Sequence, residues 1–187
     1  MRSSDITREN LWQPFRLAEK GDAIRAMQSA EGVADRLRLV AFAELQARDA
    51  FRSGAARFEG KIAEELRQTW LRFAEVEDRH AQMLLARMAE LGVDPGARAV
   101  SDKLTRLCEK ATDPIVFLFL LSSAEERGME QGKILGDQML AVDAASAKIF
   151  IQIAEEEVEH VQMARDALAG FDLDNLRTQA RAVNALL

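Results

Sequence analysis

The sequence predicts an all-α protein built on four long helices, and three observations carry that prediction. Ala, Leu, Met and Phe recur at helical spacing through most of the 187 residues. Only three prolines interrupt the chain, and long stretches are free of glycine. Capping and stopping residues flank the periodic segments. With 48% apolar residues the chain is long enough to bury one ordinary core, so a single domain over 1–187 is expected, with a bundle core over 33–168.

Residues 1–31 read as a polar lead-in. Leu11, Trp12, Phe15 and Ala18 within it predict one or two short helices lying against the bundle. The first long helix is expected from about Gly32 to Arg52, because Val33, Leu37, Val40, Ala41, Glu44, Ala47 and Phe51 form one stripe. A loop is expected from Ser53 to Gly60. The second helix then runs to about Leu91, with Gly92 as its stop and Pro95 as a breaker, and buries Trp70, Phe73, Ala74, Glu77, His80, Ala81 and Leu84.

The connection from Gly92 to Asp113 is too long for a tight hairpin, and Ser101 is positioned to cap a short helix through Lys110. Thr112-Asp113-Pro114 announces the third long helix, which buries Leu118, Leu121, Ser122, Glu125 and Met129. The fourth opens near Asp143, carries Phe150, Ile153, Ala154, Glu157, His160, Val161 and Ala164 on one face, and stops at Gly170. The tail from Leu173 to Leu187 is helical and amphipathic, packing on the outside or at a subunit contact.

Composition narrows the function classes. A net charge of −6 with interspersed bases leaves no nucleic-acid footprint over the whole chain, and Arg36, Arg38, Arg48, Arg52 and Arg57 read as a solvated charged face. The lone Cys108 excludes an internal disulfide framework and an appended four-cysteine metal module. No apolar segment follows the N-terminal Met1-Arg2-Ser3, and the longest apolar run, Ile115 to Leu121, is far short of the roughly 20 residues that span a bilayer. A soluble, cytoplasmic protein without a membrane partner is expected.

The chemistry sits where charge interrupts the apolar stripes. The chain has two histidines, and a glutamate precedes each by three residues: Glu77-Asp78-Arg79-His80 and Glu157-Val158-Glu159-His160. Chance would supply this at both histidines about one time in a hundred. The surroundings also repeat, since Ala74-Glu75-x-Glu77-x-x-His80-x-Gln82-Met83 matches Ala154-Glu155-x-Glu157-x-x-His160-x-Gln162-Met163 at every named position. Upstream of the two copies lie Ala43-Glu44 and Ala124-Glu125. The halves therefore read as an internal duplication, each offering one Glu and one Glu-x-x-His.

Residues three apart share a helix face, so each Glu-x-x-His presents a carboxylate and an imidazole inward together. Four carboxylates and two imidazoles, from Glu44, Glu77, His80, Glu125, Glu157 and His160, make a hard anionic set suited to two iron or two manganese ions. Four glutamates facing a core without cations would repel one another and suffer desolvation, which two divalent ions relieve. Glu126 and Glu156 are rival ligands, each one helix step from a chosen residue. The repeat favours Glu125, and Val76 at the place equivalent to Glu156 favours Glu157.

From residue 33 to 168 the order Glu, Glu-x-x-His, long connection, Glu, Glu-x-x-His resembles the ferritin-like superfamily, which includes ferritins, bacterioferritins, rubrerythrins and di-iron oxygenases. The resemblance implies a left-handed four-helix bundle with one long crossover and short flanking helices, and a di-iron centre that reacts with dioxygen or peroxide. It also implies that Glu77 and Glu157 bridge, that Glu44 and Glu125 are terminal or bridging, and that His80 and His160 each serve one iron.

Among the branches, the absence of tyrosine excludes a tyrosyl-radical generator. The rubrerythrin resemblance is partial, because the cysteine module is missing and Gly128 or Met129 stands where an extra glutamate is usual. Glu125-Glu126-Arg127, the stretch from Arg72 to Gly92 and the total length resemble the tRNA hydroxylases, which would make a tRNA the one nucleic-acid partner to expect. An oxidoreductase of hydroxylase or peroxidase type, dependent on an external electron donor and assembled as a homodimer, is the expectation; iron oxidation and storage is the alternative. Met83 and Met163, though methionine binds haem in bacterioferritins, and Trp70, though near Glu77, are expected to serve packing.

Overall fold

A computed structural model describes residues 11–187, and the chain is all-α apart from two very short strands among those residues. Ser29 accepts a hydrogen bond from the Gly32 amide at 3.0 Å and starts α1, Ala30–Arg57. Helix α2, Glu64–Glu90, has no side-chain cap, but Glu64 and Glu65 place negative charge at the positive end of its dipole. It ends as expected at Gly92, whose φ of +65° allows Val93 to donate back to the Met88 carbonyl and Gly92 to that of Ala89.

Asp113 accepts from the Ile115 and Val116 amides to open α4, Pro114–Met139, with proline in the first turn, and Asp143 opens α5, Ala144–Leu168. Between α2 and α4 lie a strand β2, Ala99–Val100, and the short helix α3, Lys103–Lys110. Asp172 caps the last helix, α6, Leu173–Asn184.

Cross-helix pairs set the directions. Arg48 meets Asp78 and Arg52 meets Glu75, so α1 and α2 are antiparallel. Arg72 meets Glu159 while Arg87 meets Asp143, so α2 and α5 are antiparallel as well. Helix α4 lies against α5, with Glu126 opposite Arg165 and Gly136 opposite Ile151 and Ala147. Because α4 begins beside the C-terminal end of α1, where Gly54 faces Phe117, the connection from the far end of α2 has to travel back along α1. Hydrogen bonds from Gln46 to Ser101, from Thr105 to Gln46 and from Arg57 to the Cys108 carbonyl hold it there.

Three expectations are corrected by this arrangement. Helix α1 continues to Arg57, into the segment read as a loop from Ser53 to Gly60, because Gly54 is a contact residue rather than a breaker: an added Cβ would stand 2.6 Å from the Phe117 ring. The lead-in forms no helix over residues 12–29, where one or two short helices were expected. Its strand β1, Arg16–Leu17, pairs in parallel with β2, while Trp12 and Phe15 pack on Phe42 and the Trp12 indole N–H donates to Asp49 at 2.7 Å. The cap of α3 is Asp102 rather than Ser101, whose hydroxyl instead donates to the Glu19 carbonyl. Residues 1–10 of the expected lead-in lie outside the described residues.

The arginines read as a solvated face are mostly tied to structure. Arg38 is buried on Asp35, and Asp35 also receives Arg25 and Arg98, which joins lead-in, α1 and crossover at one carboxylate. No helix among the described residues is long and apolar enough to cross a membrane.

The core falls into two apolar clusters. One contains Leu37, Ala41, Leu84, Met88, Met139 and Phe150, and the other Phe51, Trp70, Phe73, Phe117, Leu121 and Ala164. Trp70 is fully buried in the second, and Met163 packs against it, as packing roles require. Gly54→Ala is expected to destabilise the protein by about 1–3 kcal/mol, since overpacking against two rings outweighs the gain in helix propensity; urea denaturation would show it, and an unchanged or raised midpoint would overturn the close-contact account.

Candidate metal centre

Between the two apolar clusters, every long helix interrupts its buried stripe with acid or imidazole. Helix α1 supplies Glu44, α2 supplies Glu77 and His80, α4 supplies Glu125, and α5 supplies Glu157 and His160; all six are buried. Their donor atoms form two overlapping groups that could each hold a metal ion, Glu44-Glu77-His80-Glu157 and Glu77-Glu125-Glu157-His160, with the atoms of a group within 4.8 Å of one another. Glu77 and Glu157 belong to both groups. Each group is completed by one further glutamate and one imidazole.

The inner atoms converge without satisfying one another. His160 Nδ1 lies 2.8 Å from a Glu77 oxygen and 2.9 Å from a Glu157 oxygen, and His80 Nδ1 lies 3.2 Å from Glu157 and 3.5 Å from Glu44. Yet both Nδ1 atoms and both oxygens of Glu77 and Glu157 make no hydrogen bond of proper geometry. Buried polar atoms are seldom left this way, and here they share a common focus. Oxygen donors with two imidazole nitrogens also suit a divalent first-row metal, so the residues present fit such an ion.

The rival glutamates point elsewhere. Glu126 is half-buried and paired with Arg165 on the outer surface. Glu156 stands behind His80 and accepts from its Nε2–H at 3.0 Å, while Arg79 and Gln152 hold the same carboxylate. An outer hydrogen bond of this kind keeps a proton on Nε2, so Nδ1 is the nitrogen that offers a lone pair inward once its own proton has left. That outer role was not read from sequence. Its signal was a break in the repeat, Val76 against Glu156.

His160 is backed differently. Its ring stacks on Phe73 with centroids 3.9 Å apart and meets Phe51 edge-on at 5.8 Å. The two solitary glutamates are the least buried members, Glu44 at 9% and Glu125 at 8% exposure, whereas Glu77 and His80 have none. A groove of about 640 Å³ runs outside α4, α5 and α6, and its wall includes Ser122, one turn before Glu125, and Val161, next to His160.

Without metal these groups neutralise one another. Burial raises the pKa of Glu44 and Glu125 well above the usual carboxylate range, and neighbouring glutamate charge adds to it. Burial also disfavours charge on Glu77 and the imidazoles, but their mutual contacts win, holding Glu77 down to about 2, His80 up to about 12 and His160 up to about 9. At neutral pH both imidazoles of the metal-free centre thus hold protons, and Glu44 and Glu125 keep theirs to higher pH than ordinary carboxyls do. A metal ion has to displace them, so its affinity is expected to rise with pH by about tenfold per unit for each proton released. Calorimetric titration with Mn2+ in buffers of different ionisation heat counts those protons, and binding independent of pH would contradict the assignment.

The family described as "Protein of unknown function (DUF455)" matches residues 9–171. No curated protein and no solved structure matches the chain.

Proposed function

This chain belongs to the DUF455 family, and we propose that it is a di-iron carboxylate protein of ferritin-like type, an oxidoreductase acting with dioxygen or peroxide. The reading is carried by one observation: two ligand groups that share Glu77 and Glu157 and each add one glutamate and one histidine. Four long helices with antiparallel neighbours and a connection returning along α1 support a left-handed four-helix bundle with one long crossover, in which such paired sites are built.

When bound, a pair of iron ions supplies electrons to dioxygen or peroxide. Glu77 and Glu157, which belong to both ligand groups, would offer charge to both ions, and His80 and His160 would each give a nitrogen to one of them. Glu44 and Glu125, the members nearest to solvent, are the carboxylates that would have to shift to admit a small oxidant. The apolar clusters on either side keep bulk water from the layer. An external donor would return the electrons, and the groove beside Ser122 and Val161 is where an organic substrate would lie in a hydroxylase.

Anaerobic loading with Fe2+, followed by exposure to dioxygen or hydrogen peroxide, tests the proposal. About two irons per chain and rapid consumption of oxidant are expected. Failure to retain transition metal would sink it, and tens of irons per chain in a cage-sized particle would point to storage instead.

A further inference from the structure

The duplication that builds the centre is not carried through behind the two histidines. In the first half Phe73 and Val76 precede His80, and in the second Ile153 and Glu156 occupy the equivalent places before His160. The pairs cross over between helices, so each half backs the other half's imidazole. Glu156 on α5 accepts from His80 Nε2–H, whereas Phe73 on α2 stacks on His160. Phe51, which meets the His160 ring, has Gly132 as its counterpart in the second half. One imidazole is therefore backed by a carboxylate and the other by two aromatic rings.

We propose that the two metal positions are unequal and fill in order, the His80 position first, with Glu156 as the positioning residue that makes the difference. This rests on the metal-centre reading given above. Glu156 is itself pinned by Arg79 and by Gln152, at 2.9 Å from the latter, so it holds His80 with Nδ1 turned inward before any ion arrives. A carboxylate on the outer nitrogen also increases the electron density that the inner nitrogen offers, and loss of such a partner weakens metal binding by about 10- to 100-fold. His160 receives neither aid. The ion with Glu44 and His80 is the tightly held one, and the ion with Glu125 and His160 is the exchangeable one, on the side where the groove passes Val161.

The test is a titration of the metal-free full chain with Mn2+, reading free Mn2+ by its paramagnetic resonance signal. Two steps are expected, at least about tenfold apart. Glu156→Val, which copies the Val76 side, should weaken the first step by about 10- to 100-fold and leave the second within about twofold. Glu156→Gln keeps an acceptor for the Nε2–H and should restore most of the loss, which a merely structural role would not produce. Val76→Glu should tighten the second step. A single class of two equal ions, equal weakening of both steps by Glu156→Val, or Gln behaving as Val would overturn the inference while leaving the metal centre standing. No Mn2+ bound by the wild-type chain would overturn the centre itself, and the inference with it.

Discussion

Glu77→Ala is expected to remove both metal ions, whereas Glu44→Ala or Glu125→Ala removes one. Glu77 has no exposed surface, belongs to both ligand groups, and lies within 3.7 Å of His80 Nδ1 and 2.8 Å of His160 Nδ1. Its loss takes a donor from each position and leaves two imidazoles without the charge that faces them. Metal content by plasma emission should fall from about two per chain to near zero for Glu77→Ala, and to about one for either solitary glutamate. Thermal scans give a second reading. A ligand present at a hundredfold over its Kd stabilises the folded state by about 2.7 kcal/mol, a rise of roughly 5–10 °C for a chain of this size. The wild type should show that rise on adding metal and Glu77→Ala should not. Two ions retained by Glu77→Ala would show that it bridges nothing.

Asp35→Ala should be the most damaging single change to stability outside the centre. Asp35 is buried and receives Arg38 at 3.0 Å, Arg25 at 2.7 Å and Arg98 at 3.3 Å, and Arg38 is buried beside it while donating to the carbonyls of Asp94 and Pro95. Removing the carboxylate strands a buried guanidinium, which costs about 3–5 kcal/mol, or roughly 10 °C in Tm. Burial acts to raise the pKa of Asp35, but the guanidiniums win and hold it down to about 2. The stabilisation is thus complete above the unfolded-state value near 4 and lost as pH falls towards 2. Acid denaturation of Asp35→Ala should lack that component, and a variant within 1 kcal/mol of wild type would refute the role of a shared anchor.

The long helices were legible because their chemistry is local. Asp113, Asp143 and Gly92 act within a few residues of themselves, and the stripes from Val33 to Phe51 and from Phe150 to Ala164 bury almost as periodicity predicts. The six candidate ligands were legible because two histidines carry a repeated neighbourhood. What escaped depends on partners far along the chain. Gly54 looks like a breaker until Phe117 is placed against it, and Arg16–Leu17 carries too short a pattern to announce a strand whose partner is Ala99–Val100. Glu156 looked like a competing ligand because spacing along one helix cannot tell an inward carboxylate from one that leans on the next helix.

The pairing of Arg16–Leu17 with Ala99–Val100 sets a timetable for synthesis. The lead-in emerges first but waits about 80 residues for its partner strand, some 4–16 s at ordinary elongation speeds. The ligand groups wait longer still, since each draws on Glu77 in one half and Glu157 in the other. A nascent chain released before α5 would carry four of the six side chains and no complete group, so the ion can act only as a last fastening on a chain already almost fully made.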